Sequence, residues 1–188
     1  MTNRSPGRLR IIGGNWRSRV LDFDTDASVR PTPDRVRQTL FDWLAPRIEG
    51  AVCLDLFAGS GALGLEALSR GAARATFVES DARPASAIRA ALAKLGATDR
   101  GEVVAGDALA FLRHAAGPYE IVFLDPPYAS GLLEAVLPLL VPQLARNHRI
   151  YLEWPGNQRP PLPDGSEWLR EKRAGQVSFG LATLPPQG

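Results

Sequence analysis

Leu54-Asp55-Leu56-Phe57-Ala58-Gly59-Ser60-Gly61-Ala62-Leu63-Gly64 turns a buried strand into a helix through a glycine-rich bend. Its glycines at 59, 61 and 64 spell G-x-G-x-x-G. Glycine permits a tight turn and a close backbone approach, and the start of a helix presents N–H groups to a ligand. A strand, a glycine turn and a helix in succession open an α/β unit.

Downstream the alternation continues, which predicts a parallel sheet with covering helices. Candidate strands are residues 51–56, 75–79, 102–105 and 119–124, and candidate helices are 61–70, 82–95 and 108–115. Residues 132–140 follow a helical pattern that Pro138 and Pro142 should shorten or kink. A strand is expected at 149–154, then a Pro/Gly-rich loop at 155–165, then a closing hairpin of 167–173 and 176–184.

Successive strands end in or beside an acid on one edge: Asp55, Glu79, Asp107 and Asp125. In open α/β sheets that edge is where ligands bind. Glu79 lies 18 residues past Gly61, the spacing of an acid that accepts both hydrogens of a ribose diol. Asp55 and Asp107 suit a ligand with a cationic tail and an adenine, and would repel a pyrophosphate. S-adenosylmethionine, with an ammonium, a sulfonium, a ribose and an adenine, fits better than NAD.

Asp125-Pro126-Pro127-Tyr128 ends the fourth strand. The two prolines forbid further ladder pairing and an immediate helix. A carboxylate, carbonyls without a sheet partner and a flat ring are held together, which suits a planar group bearing an NH2.

Residues 1–40 carry eight Arg against four Asp, and no acid precedes Asp22. This is the placement of an arm that faces a polyanion. Residues 1–8 read as disordered. Residues 9–12 and 16–23 read as two short strands around Gly13-Gly14-Asn15. Arginines at 10, 17 and 19 beside Trp16 offer charge and a stacking surface for RNA, although Trp16 could equally pack the hairpin on the main body. Arg30-Pro31-Thr32-Pro33 introduces a helix, with Thr32 as its cap and Pro33 at its first position. Arg35 and Arg37 sit near the positive end of that helix dipole, which suggests an outside partner for them.

The single Cys53 lies in a strand pattern and reads as inert core. His114 and His148 stand in no motif, and no Cys/His cluster suits a metal. No segment reaches the roughly 20 apolar residues of a membrane span, and Met1 to Arg10 lacks a signal-peptide core, so the expected location is the cytoplasm.

The Asp55-x-Phe57-Ala58-Gly59-Ser60-Gly61 and Asp125-Pro126-Pro127-Tyr128 segments resemble the class I methyltransferases that modify exocyclic amines. Arg10-Ile11-Ile12-Gly13-Gly14, the run from Arg30 to Arg37, the run from Leu63 to Arg70 and Ala174-Gly175-Gln176-Val177 are similar to the bacterial 16S ribosomal RNA guanine-N2 methyltransferase family. The resemblance spans about residues 8–184 and implies a Rossmann-like, mostly parallel α/β sheet with helices on both faces and a C-terminal antiparallel hairpin. It divides the chain into a basic hairpin arm, 1–30, and a methyltransferase domain, 31–188.

S-adenosylmethionine is the implied cofactor, with contacts at Asp55, Phe57, Ala58, Gly59, Ser60, Gly61, Glu79, Asp107 and Ala108. Asp125, Pro126, Pro127 and Tyr128 are the implied catalytic residues. Asp125 and the Pro126 carbonyl would accept the amine hydrogens, and Tyr128 would stack on the base. Ribosomal RNA, free or in a small subunit, would contact Arg10, Trp16, Arg17, Arg19, Arg30, Thr32 and Arg35. A monomer is expected, with no metal and no membrane. An NAD oxidoreductase would leave Asp-Pro-Pro-Tyr without a role. A DNA amino-methyltransferase would need a target-recognition insertion, and an inactive assembly factor would not need the acids.

Overall fold

The computed structural model describes residues 7–23, 32–115, 117–127 and 131–186. Two short strands come first, β1 (Gly7–Arg10) and β2 (Val20–Phe23), followed by helix α1 (Asp34–Ile48). The alternating body contains β3 (Val52–Asp55), α2 (Ala62–Ser69), β4 (Arg74–Glu79), α3 (Ala82–Lys94), β5 (Gly101–Ala105), α4 (Ala108–His114) and β6 (Tyr119–Leu124). Helix α5 (Leu132–Leu140) and strands β7 (Leu144–Pro155), β8 (Glu167–Ala174) and β9 (Val177–Thr183) complete it.

The large sheet has the order β5-β4-β3-β6-β7-β9-β8. Strands β3 to β7 run parallel, and β9 enters antiparallel between β7 and β8. From β3 the chain winds outward through β4 and β5, then returns to place β6 on the other side of β3. The crevice at that reversal is where this topology puts a ligand. Helices cover both faces. The arm, α1, α2 and α3 share one core, and α4 and α5 share the other. This is the mostly parallel, doubly covered sheet with a C-terminal hairpin that the alternation predicts.

Side chains explain the layers. Val36, Leu40, Phe41 and Leu44 recur along one stripe of α1. Phe41 meets Phe123 of β6 at 5.9 Å, and Trp43 meets Phe179 of β9 at 5.3 Å between ring centroids. Trp154 and Trp168 pack edge to face on the opposite side. Cys53 is buried in β3, and desolvation pushes its thiol well above the usual range, so it is core as expected. His148 is a structural group. Its Nδ1 contacts the Ala145 carbonyl at 2.7 Å, and its Nε2 accepts the Leu184 N–H at 2.9 Å. That pattern requires a neutral ring carrying its proton on Nδ1, and burial lowers its pKa accordingly.

The N-terminal segment differs from expectation at several points, the first being that β1 spans Gly7–Arg10, two residues earlier than the expected strand over 9–12. Residues 16–19 are not strand: a short 3-10 turn spans Gly14–Trp16, and the Trp16 N–H leaves the hairpin to donate to Ser69 Oγ at 3.0 Å. Trp16 itself is buried, with the Arg100 guanidinium 5.4 Å from its ring centroid. Its ring packs the arm onto the body and offers no face to a base. Leu9, Ile11 and Leu21 join the same core, so the arm has no separate core of its own.

Two further corrections concern the entry to α1. The helix starts at Asp34, its cap is Pro33 and no side chain caps it. The Thr32 hydroxyl instead donates to Glu153 Oε2 at 3.2 Å, because Thr32 is buried against the end of β7. Arg37 has an inside partner. It is 1% exposed, and its guanidinium reaches Asp34 at 2.6 Å, the Arg10 carbonyl at 3.0 Å and Glu66 at 3.4 Å.

Glu66, fully buried on α2, is the hub of this junction. It accepts the Ile12 N–H at 2.8 Å, the Gly13 N–H at 3.1 Å and Arg70 at 3.2 Å. Gly14 lies so close to α2 that a Cβ there would sit 2.0 Å from the Ser69 carbonyl oxygen. Glu66→Ala strands the Arg37 cation against one exposed acid, and removing one partner of a buried pair costs about 3–5 kcal/mol. The expected result is a lower midpoint in chemical denaturation with faster proteolysis near residues 10–20.

Candidate active site

The glycine bend follows from the ladder. Leu56 N–H still reaches the Phe123 carbonyl at 3.3 Å and Ala58 N–H reaches Val78 at 3.0 Å, after which the chain must reverse. Gly59 and Gly61 take φ values of +54° and +77°, the left-handed region that glycine enters without strain. Gly64 serves packing: a Cβ there would lie 2.3 Å from the Phe77 ring on β4. Phe57, Gly59 and Ser60 stay partly accessible, while Ala58, Gly61 and Gly64 are buried.

Asp55 ends β3 beneath this bend, only 3% exposed. Its Oδ2 accepts the Gly64 N–H at 3.1 Å, one of the first-turn donors of α2 that the helix itself cannot satisfy. Burial raises its pKa to about 7, with the Glu79 charge adding to the rise and the Gly64 N–H opposing it. A buried carboxyl so placed suits a cation, whose arrival would favour its charged form.

Glu79 ends β4 and holds the bend from the other side. One oxygen accepts the Gly59 N–H at 2.8 Å, and the other accepts the Asp81 N–H at 3.1 Å. Each oxygen keeps a further lone pair for a donor such as a hydroxyl. Asp107 caps α4, accepting the Ala110 N–H at 2.8 Å, and Ala108 follows it, buried. The expected cofactor residues therefore line one edge, from Asp55 and its glycine bend through Glu79 to Asp107.

Asp125 follows β6 directly, two residues past Phe123, the register partner of Asp55, and it feels the Asp55 charge across the reversal in strand order. Burial pushes its pKa upward, and the Glu153 carboxyl beside it pushes further. Pro126 is buried and Pro127 exposed, and a cavity of about 190 Å³ opens beside them, lined also by Leu132, Glu153 and Trp154. Tyr128 and Arg30 lie outside the described residues. Of the other expected RNA contacts, Arg10, Arg17, Arg19 and Arg35 are exposed, whereas Trp16 and Thr32 are buried, as described above. No group of three or more acids, histidines or cysteines suited to a metal occurs among the described residues. No helix among them is long and apolar enough to cross a membrane.

Glu153 is the site residue that the sequence reading missed. It closes the apolar run Ile150-Tyr151-Leu152, just as Asp125 closes Ile121-Val122-Phe123-Leu124, and that parallel was the available signal.

Known proteins share this arrangement. A family model described as Conserved hypothetical protein 95 matches residues 9–183. Ribosomal RNA small subunit methyltransferase D of Escherichia coli is 48% identical over 185 residues, covering 97% of this chain and 93% of that protein. The Haemophilus influenzae protein of the same name is 40% identical, covering 96% of each. A solved Escherichia coli structure described as a methyltransferase superposes with a TM-score of 0.86 at 48% identity, covering 96% of this chain and all of that one. An RNA methyltransferase from Salinibacter ruber, solved with S-adenosyl-L-homocysteine, shares the fold at 21% identity and a TM-score of 0.66, over 84% of this chain and 95% of that one. With a model match over nearly its whole length and relatives this similar, the chain belongs to the ribosomal RNA small subunit methyltransferase D family.

Proposed function

We propose that this protein transfers a methyl group from S-adenosylmethionine to the exocyclic N2 amine of a guanine in small-subunit ribosomal RNA. The observation that carries the reading is the placement of Asp125-Pro126-Pro127 beside Asp55, on the strand edge where the glycine bend opens. A cation receptor and an amine acceptor stand next to each other. The names of the relatives support ribosomal RNA as the substrate.

S-adenosylmethionine supplies a methyl group made electrophilic by its sulfonium. Asp55 fits the cationic tail, and Glu79 fits the ribose hydroxyls while bracing Gly59. The guanine amine is a poor nucleophile, because its lone pair is delocalised into the ring. Asp125 and the Pro126 carbonyl accept its two hydrogens and turn the lone pair out of conjugation. Tyr128 stacks on the base, which must leave its helix or already be unpaired. Placed acceptors and alignment supply most of the rate. Exposed Arg10, Arg17, Arg19 and Arg35 meet phosphates, a role that the sequence pattern also gives Arg30.

Transfer of a labelled methyl group to small-subunit RNA is the direct test, with nucleoside mass spectrometry of that RNA from cells lacking the protein. One N2-methylguanosine should disappear. An unchanged set of methylguanosines overturns the substrate assignment.

A further inference from the structure

Strands β6 and β7 run parallel, with Phe123 opposite Tyr151 and Leu124 opposite Leu152. The next residue on each strand is an acid, so Asp125 and Glu153 arrive side by side at the same edge. The two carboxyls lie within hydrogen-bonding reach, and the Glu153 carboxyl pushes the Asp125 pKa up. Two carboxyls hydrogen-bond each other only when one carries a proton, since ionised carboxylates only accept.

Glu153 is held from other directions too. It is 8% exposed, and the buried Thr32 hydroxyl donates to it at 3.2 Å from the entry to α1. Tyr151, two residues back on the same face of β7, also interacts with it and favours its charged form. The titratable groups facing the pair are Asp55 from β3 and Tyr151 from β7, both of which become anionic on ionising. Burial raises both carboxyls of the pair, so the shared proton is retained toward neutral pH.

We propose that Glu153 is a positioning residue: it shares one proton with Asp125, and that bond aims the Asp125 carboxyl at the target amine. The inference rests on the reading of Asp125 as the amine acceptor. When the shared proton is lost, two adjacent anions repel and the aim is lost with them. The pair titrates as a unit, in two steps that belong to neither residue alone.

The test compares kcat from mildly acidic to alkaline pH for the wild type, Glu153→Gln, Glu153→Ala and Asp125→Ala, with the KM for S-adenosylmethionine measured alongside. The wild type should slow on the alkaline side. Glu153→Gln, whose amide donates to Asp125 at every pH, should lose that decline and stay within about threefold of the wild type near neutrality. Glu153→Ala should lower kcat about tenfold or more throughout, with KM for the cofactor unchanged, since a small misplacement of a reacting group is costly. Wild-type kcat in Glu153→Ala, or an alkaline decline that persists in Glu153→Gln, overturns the proposal. If Glu153→Ala does not fold, the isosteric Glu153→Gln profile decides alone. An active Asp125→Ala sinks the reading beneath it, whereas an inactive Asp125→Ala beside a normal Glu153→Ala sinks only this inference.

Discussion

Asp125→Ala is expected to lose about a thousandfold in kcat while binding S-adenosylmethionine within about threefold of the wild type. Positioned acceptors of this kind contribute some 10²–10⁴ to a rate. Asp125 lies across the strand reversal from the cofactor bend and makes no hydrogen bond to it, whereas Asp55 and Glu79 both do. The loss should therefore fall on transfer and spare the cofactor. Single-turnover transfer and calorimetric titration on the same preparation separate the two. Weakened cofactor binding with normal transfer would move Asp125 out of the amine site.

Asp55→Asn should produce opposite effects on stability and binding. Asparagine can still accept the Gly64 N–H that Asp55 holds at 3.1 Å, so the bend should survive. It cannot meet a cation as a charge. Removing the charge of a buried pair costs about 2–5 kcal/mol, so affinity for S-adenosylmethionine should fall about a hundredfold.

Without cofactor, Asp55→Asn should meanwhile be more stable than the wild type above neutral pH. Burial lifts Asp55 from 3.8 to about 7. Below about pH 4 the group is neutral in both folded and unfolded chains and contributes nothing. As pH rises from there, the unfolded chain ionises first, so the native state loses ground until pH 7, beyond which the penalty is complete. A shift of this size is of the order of a few kcal/mol. Thermal melts at pH 8 should favour Asp55→Asn, and melts near pH 4 should show the two proteins alike. A wild type that is the more stable at pH 8 would mean that Asp55 already has a favourable counter-charge in the free protein.

Both residues were visible in the sequence because each ends an apolar run beside residues that break the ladder, glycines in one case and prolines in the other. Glu153 has no such punctuation after a single Pro155, and its strand is longer than its pattern. Strand β7 begins at Leu144, but Arg146, Asn147 and His148 interrupt the apolar signal before Arg149. Arg37 was misread because its main buried partner, Glu66, lies 29 positions away and looks like an ordinary helix-surface acid. Trp16 posed a choice that local sequence could not make, since only the approach of Arg100 and Ser69 decides which way the ring turns. Periodicity reads the faces of single elements. It does not read which distant polar group a buried one will meet.

The late insertion of β9 between β7 and β8 bears on how the chain is made. Residues 144–155 emerge from the ribosome well before residues 177–183, the strand that covers their free side. Until then β7 is an open edge of apolar Ile150, Tyr151 and Leu152, the kind of edge that pairs with foreign strands. The Leu184 N–H closes onto His148 only after β9 has been made. The strand that holds Glu153 against Asp125 thus becomes an interior strand only once β9 has been made, which limits the exposure to aggregation to the interval before β9 and places the onset of activity after it.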